Sequence, residues 1–510
     1  MRLHVNAPQG TRIEETEQIF ARVENEIRQE IPNGEVQTIV DNIGLPASGV
    51  NLAFGDNSTI GSGDGEILIA LDREKHGPTQ VYQRHLRKRL NDKFPQCTFY
   101  FQAANITNQI LNFGLPAPID IQVVGRDPKG NYAVTRQIQS KVAAIPGAVD
   151  VHIKQEIEYP TVMINVDRTK ADQAGLTQRD VATGVLISLS SSGQIAPNQW
   201  LNPANGVNYS VAVQTPQANL DNFDSIGRTP VNSGNGGPTQ LLSNLATFQR
   251  IKTVAVVDHY NVQPTYDIFA NVDQRDLGGV ASEVYKIVDQ YRDKLKKGNV
   301  IDVRGQVETM NSSFLRLGLG MFFALLLVYL LMVINFQSWV DPFIILMAIP
   351  GTLAGILWML FITQTTLNVP SLMGAIMSIG VATANSILLV TFANDERLLN
   401  KGAMEAAHSA GVTRIRPVIM TATAMMIGML PMSLALGEGG EQNAPLGRAV
   451  IGGLLVATVS TLFFVPIMYS LLRKSAPINW EEQIDKEAHE TGPESGPRHT
   501  QRSEPELLNA

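Results

Sequence analysis

A chain of 510 residues, 44% hydrophobic and 17% charged, is long enough for more than one folded unit, and its net charge of −7 offers no overall basic field for nucleic acid. One cysteine, Cys97, excludes an internal disulfide framework. The averages conceal a change of character near residue 314, where a mixed α/β pattern gives way to long uncharged runs.

The amino-terminal portion reads as repeated strand, helix and strand. "RLHVNAP", a helix through Ile19, Phe20, Val23, Ile27 and Ile31 at 3.6-residue spacing, and "EVQTIVD" make a first unit. "EILIALD", a helix over about 79–92 and "CTFYF" make a second, in which Cys97 is expected to be a buried, inert thiol. "IDIQVVG", a helix near 132–142 and "AVDVHIK" make a third, and "YDIFANV", "GGVASEVYKIVDQYRDKL" and "IDVRG" a fourth. Between the last two lies a stretch rich in Gly, Asn and Pro, residues 190–250, preceded by "TVMINVD" and containing "NYSVAVQ", which reads as an inserted subdomain. The basic run "YQRHLRKRLNDK" (82–93) is expected to be a solvated helix face, and the loop 55–66, with Asp56, Asp64 and Glu66 but no EF-hand spacing, a surface loop.

Residues 317–336, 342–363, 369–393, 417–436 and 449–472 contain no Asp, Glu, Lys, Arg or His. Each reaches the ~20 residues that a helix needs to cross a bilayer core. With residues 1–313 outside, the inner loops carry Arg397, Lys401, Arg414, Arg416, Arg473 and Lys474, against Arg316 and Arg448 outside, as the positive-inside rule asks. The carboxyl terminus then lies inside, where residues 475–510, with eight acidic and three basic side chains, read as a disordered polar tail. A translocated domain whose first residues lack a signal-peptide pattern leads to the expectation that a preceding segment, most simply a further transmembrane helix, belongs to the complete machine.

No Walker loop, HExxH, paired CxxC or GxSxG is found, so no enzyme chemistry has a candidate site and no cofactor is expected. The chemistry within the spans is polar and uncharged. Gly374, Ser378, Ala382 and Ser386 recur every four residues, and Gly453, Ala457 and Thr461 repeat the device, a small-residue seam for close helix packing. Thr383 and Asn385 flank the seam, and Thr421 and Thr423 sit one turn into the next span. Two readings of Asn385 stand: an interhelical amide that glues the bundle, or the lining of a functional cavity.

The runs "RPVIMT", "GEGGEQNAPLG", "GGLLVATVSTLFFVPIMY" and "FQSWVDPFIILMAIPGTLAGILWMLF" resemble the resistance-nodulation-division (RND) family of proton-driven efflux transporters, and the likeness covers nearly the whole chain. The resemblance implies an α+β periplasmic part of porter and docking subdomains built from β-α-β units, then a polytopic helical bundle of five spans, together the second half of a twelve-helix protein. Residues 1–115 then resemble a first C-terminal porter subdomain, 116–160 with 251–310 a second, 161–250 the docking subdomain, 314–474 the transmembrane domain and 475–510 a cytoplasmic tail.

In such transporters a proton relay joins two carboxylates of the first half to a lysine, a threonine and an arginine of the second. The resemblance places Ala384 at the lysine position, Asn385 on the asparagine after it, Thr421 on the threonine and Arg414 on the arginine, with Thr383 beside them. A lysine would stabilise the ionised carboxylates, and Ala384 removes it. Asn385, Thr383 and Thr421 are left as polar, non-titrating lining. The family further implies a bacterial inner-membrane location, energy from the proton gradient, a missing N-terminal half, a homotrimer, a periplasmic adaptor, an outer-membrane channel and amphiphilic substrates, without nucleic acid. Alternatives are a nontransporting membrane scaffold, or a component of a lipid or protein export machine with related helices.

Overall fold

The structure is a computed structural model, and it describes all residues except 33, 46–58, 60, 73–74, 105–108, 111, 113, 196, 217–218, 221, 233–238, 400, 437–439 and 474–510. The expected tail, Lys474, Asp56 and part of "GEGGEQNAPLG" lie outside the described residues. Two compact units are present, Met1–Thr309 and Met310–Ala510.

In the first unit, β1 (Arg2–Asn6), α1 (Ile13–Glu30), β2 (Val36–Ile43), β3 (Asp64–Leu71), α2 (Thr79–Lys93) and β4 (Thr98–Gln102) form one module. Its strands make a single antiparallel sheet ordered β2-β3-β1-β4, the split β-α-β arrangement. Helix α1 turns Ile19, Phe20, Val23 and Ile27 onto the sheet, with Glu14 and Glu15 at its positive end and Arg28 at its negative end. Gly65 lets α1 come this close. A Cβ there would stand 2.6 Å from the Asn42 carbonyl and 2.8 Å from the Phe20 ring.

A second module repeats the plan with β5 (Ile119–Val124), α3 (Pro128–Val142) and β6 (Ala148–Ile153). The chain then leaves for an insertion before the module is completed. Within it, β7 (Tyr159–Val166), α4 (Arg168–Gln173), α5 (Gln178–Ser190), the exposed hairpin β8 (Asn198–Leu201) and β9 (Asn208–Val211), and β10 (Ala246–Thr253) follow in order. Strands β7 and β10 pair over their full length, above a small core that includes Leu176, Val181, Leu242 and Leu245. The chain returns through β11 (Asp258–Tyr260), β12 (Gln263–Val272), α6 (Leu277–Arg292) and β13 (Val300–Gly305). These give the order β11-β12-β5-β13, with β6 also on β12. The four units read along the sequence are thus two sheets, the second closed by strands more than a hundred residues apart. Ile119, Ile121, Ile268 and Ile301 form its apolar side, under Val280, Val284 and Val288 of α6.

In the second unit five helices are long and apolar enough to cross a membrane: Gln306–Phe336, Val340–Ile362, Val369–Leu398, Ala403–Ser433 and Gly440–Leu472. They are spans one to five below. Spans one, two, four and five begin before their charge-free runs, and span three continues past the end of its run, because these helices extend into polar residues. Span four starts well before residue 417 and carries Arg414 and Arg416, and span five begins at Gly440. Span two is interrupted between Leu346 and Ile349, just before Pro350. Span five widens into a π turn over Ser460–Phe464 ahead of Pro466, which has no N–H to give. Burial divides the spans. In spans two, three and five 44% of the apolar window is buried, against 6% for span one and 11% for span four.

Candidate functional site

Spans two, three and five meet along small residues. A Cβ at Gly374 would lie 2.7 Å from the Leu446 carbonyl and 3.0 Å from the Ala449 Cβ, and one at Gly453 2.7 Å from Ser378 Oγ. Ser378, Ala382, Ser386 and Ala457 are buried along the same line, as is Thr461. The hydroxyls in this seam spend themselves on their own helix. Ser378 donates to the Gly374 carbonyl at 2.9 Å, Thr383 to Ile379 at 2.8 Å and Ser386 to Ala382 at 2.9 Å. With these O–H donors satisfied within their own helix, the glycines let the backbones approach closely.

Of the residues matched to the relay, Thr383 borders this seam, and Ala384, Asn385, Thr421 and Arg414 lie off it. Thr383 is buried, Asn385 half-buried and Ala384 exposed. The Asn385 amide makes no hydrogen bond among the described residues. Thr421 is exposed, its hydroxyl donating to the Pro417 and Val418 carbonyls at 3.1 Å. The Arg414 guanidinium lies 5.4 Å from the centre of the Phe392 ring, with a buried Nε that has no hydrogen-bond partner among the described residues. Among the described residues, no hydrogen bond joins Asn385, Thr421 and Arg414 to one another.

A second polar group in this unit was not singled out from the sequence. Asp341, 1% exposed, accepts from Asn394 Nδ2 at 3.3 Å, and the Asn394 carbonyl accepts from the Tyr469 hydroxyl at 2.6 Å. Arg473 Nε stands 3.2 Å from Asp341, Arg473 Nη1 donates to Ser338 at 3.2 Å, and Arg397 donates to the Arg473 carbonyl at 2.6 Å. These side chains tie the start of span two to the ends of spans three and five. Its only signal in the sequence was an aspartate and an arginine at the two margins of charge-free runs.

The first unit holds a groove of about 590 Å³ between its two modules, lined by Asp64, Tyr100, Tyr132, Arg136, His152 and Glu156 among others. Two of its lining residues, Tyr100 and His152, belong to a column of rings that continues into the buried interior. His4 on β1 stacks on Tyr100 of β4 at 4.3 Å, Tyr100 on His152 of β6 at 3.7 Å, and His152 meets Phe269 of β12 at 5.7 Å. His4 is hydrogen-bonded to Asp64 and stands 3.7 Å from Glu66, which Arg2 grips at 2.7 Å. Burial opposes a charge on His4, but its hydrogen bond to Asp64 and the nearby Glu66 carboxylate prevail and raise its pKa. Burial, then the His4 charge, push the His152 imidazole down to about 4, against the help of the Asp150 carbonyl that accepts its Nδ1–H at 2.8 Å.

Two expectations change here. Asp64 and Glu66 are not on a surface loop: they are 4% and 5% exposed on β3, neutralised by His4 and Arg2. The basic run 82–93 is not merely solvated either. Arg87 grips Asp150 at 2.9 Å and Arg84 grips Asp273 at 3.0 Å, both on the other module, while Arg89 and Lys93 hold Glu26 of α1. Asp150, whose φ is +56°, also accepts from the Phe101 N–H and the Asn271 amide. Cys97 is buried, and burial raises its thiol pKa.

The profile of the AcrB/AcrD/AcrF family matches residues 1–473. The chain is 26% identical over 420 residues to the cobalt-zinc-cadmium resistance protein CzcA of Cupriavidus metallidurans, covering 81% of this chain and 39% of CzcA. It is 29% identical over 382 residues to the multidrug resistance protein MdtC of Erwinia amylovora, covering 71% of this chain and 36% of MdtC. A crystal structure of a heavy metal efflux pump superposes with a TM-score of 0.77 at 26% identity, covering 92% of this chain and 47% of the pump. The chain therefore spans well under half the length of the curated relatives it matches. On the match over residues 1–473, the chain belongs to the AcrB/AcrD/AcrF family of RND transporters.

Proposed function

We propose that this chain forms the C-terminal half of a proton-driven exporter of amphiphilic compounds in the bacterial inner membrane, working with a partner half that supplies the relay carboxylates. In this reading the split module ending at β4 is the first porter subdomain, the interrupted module the second, and the insertion the docking subdomain. The complete assembly is a trimer with a periplasmic adaptor and an outer-membrane channel.

One observation carries the reading. Spans two, three and five close on one another, whereas Ala384, Thr421 and most of span four face away from that seam. A polar face with an exposed alanine at the lysine position is what the partner N-terminal half would cover. Carboxylates brought there would find the Asn385 amide in place of an ammonium, so the partner N-terminal half would carry the whole charge change of the relay. The groove between the modules, with Tyr100 and Tyr132 beside Arg136 and Glu156, suits a molecule having both apolar and polar parts. The second reading, a divalent metal cation as substrate, is favoured by the likeness to CzcA.

The test is expression in a pump-deficient bacterium, alone and with a candidate N-terminal half. Rhodamine 6G efflux only in the combination, lost with Asn385→Leu at equal membrane abundance, is the expected result. Resistance to cobalt and zinc without dye efflux would select the metal reading. Efflux by the chain alone, or full activity of Asn385→Leu, would defeat the relay assignment.

A further inference from the structure

The charges that line the groove are unevenly matched. Asp64 is paired with His4, Lys154 with Asp258 at 3.2 Å, and Glu158 with Lys252 at 2.8 Å. Lys252, and after it Arg136 of α3, hold the Glu158 carboxyl below its usual range. Glu156 differs from all of these. Among the described residues its carboxylate forms no ion pair, and its hydrogen-bond donor is the neutral Asn6 amide at 2.8 Å. We propose that Glu156 selects the exported compound by charge: the groove takes an organic cation, whose charged group sits against this carboxylate. This rests on the reading of the groove as the path of the exported compound, and it names the class of compound that the path prefers.

Glu156 lies just beyond the end of β6, and Asn6 closes β1, so the carboxylate stands where the two modules face each other. It is half-buried. A carboxylate in that position has given up part of its water, and one amide donor does not cancel its charge, so a cation is drawn to it more strongly than to an open surface. Next to it, Gln155 bridges two more carboxylates, with Nε2 at 2.7 Å from both Asp258 and Asp267. Asp267 also accepts from the Thr265 hydroxyl at 3.3 Å. On this wall the carboxylates of Asp258, Asp267 and Glu156 stand against one lysine, Lys154. His152 adds no charge at neutral pH, its pKa lying below the usual imidazole value. The surplus on this side of the groove is negative.

The rest of the lining suits the body of such a compound. Tyr132, Val151, Ile153 and Ile157 line the groove as half-buried side chains. The Tyr100 ring is already stacked on His4 and His152, so aromatic contact with a ligand falls to Tyr132 of α3. A pocket that is apolar over part of its wall and carries one charge without a counter-ion orients its ligand through that charge. An anion finds no equivalent, because Lys154 and Arg136 already face Asp258 and Glu158.

Tetraphenylphosphonium and tetraphenylborate have the same shape and opposite charge. Equilibrium dialysis against the full detergent-solubilised chain, with detergent alone as the blank, measures the binding of each. Glu156→Gln removes the charge and keeps an oxygen for Asn6. It should weaken tetraphenylphosphonium about tenfold, the effect of one close charge in a partly hydrated site, without weakening tetraphenylborate. Glu156→Asp keeps the charge and should retain most of the affinity. Thr98→Trp, from an exposed position on β4 opposite Asn6, fills the groove and should weaken both ions. Unchanged tetraphenylphosphonium binding in Glu156→Gln, or an equal loss of both ions, would overturn the charge selection. If Thr98→Trp weakens both ions while Glu156→Gln weakens neither, the groove remains the path and only the selection fails. If Thr98→Trp weakens neither, the groove is not the path, and the reading beneath the proposal fails with it.

Discussion

Replacing Arg473 by methionine tests whether the Asp341 group holds the membrane unit together. The pair is 3.2 Å apart, with the two side chains 12% and 1% exposed. At that separation and an effective dielectric of ~20 the attraction is about 5 kcal/mol, offset by the cost of bringing both charges out of water. Arg473→Met removes the attraction and leaves the desolvated carboxylate. Breaking a buried pair on one side costs about 3 to 5 kcal/mol, two to four powers of ten in the unfolding equilibrium. Asp341→Asn with Arg473→Met removes both charges and keeps an amide beside Asn394, so it should recover most of the loss. The assay is unfolding of the purified chain in mixed micelles titrated with sodium dodecyl sulfate, for the parent, both single variants and the double variant. A coupling of at least about 2 kcal/mol in this cycle is expected. If Arg473→Met lies within about 0.5 kcal/mol of the parent, the value usual for a surface change, the pair is not a structural tie and the argument fails.

Gly453→Leu forces a side chain into the space of Ser378 and Ile356, and should sharply lower the yield of folded chain, whereas Gly380→Leu, with open space around it, should not; detergent-phase gel filtration distinguishes them. Arg87→Met leaves Asp150 buried with only neutral donors, and should cost the first unit about 3 kcal/mol or more, read as a fall in its thermal midpoint. His152 has a folded pKa depressed from 6.5 to about 4, so its contribution is complete above pH 6.5 and is lost as the pH falls from there toward 4. It amounts to about 3 kcal/mol, and His152→Asn should flatten that limb of the stability–pH curve while leaving the limb above pH 7 unchanged. With the partner half present, cysteine labelling should place Asn443 outside and Lys401 inside; the opposite pattern would contradict the charge rule for these loops.

The five spans were legible in the sequence because a bilayer requires some twenty consecutive uncharged residues, a condition that local sequence either meets or does not. The small-residue spacing of Gly374, Ser378, Ala382 and Ser386 was legible for the same reason, since a four-residue repeat defines one helix face without any partner. Strand alternation likewise marked Leu3 and Val5 as the apolar side of β1. It could not say what covers the opposite side, where Arg2, His4 and Asn6 alternate, and a solvated face is the ordinary inference. Tertiary structure instead set His4 into a ring column shared with a second module. It also joined Asp341 to Asn394 and Asn394 to Tyr469, pairs separated by 53 and 75 residues. Period and composition are properties of neighbouring residues and can be read from order alone. Which polar side chains share a buried junction depends on how separately formed sheets and helices meet, and on the electrostatic demand that every charge buried there finds a partner.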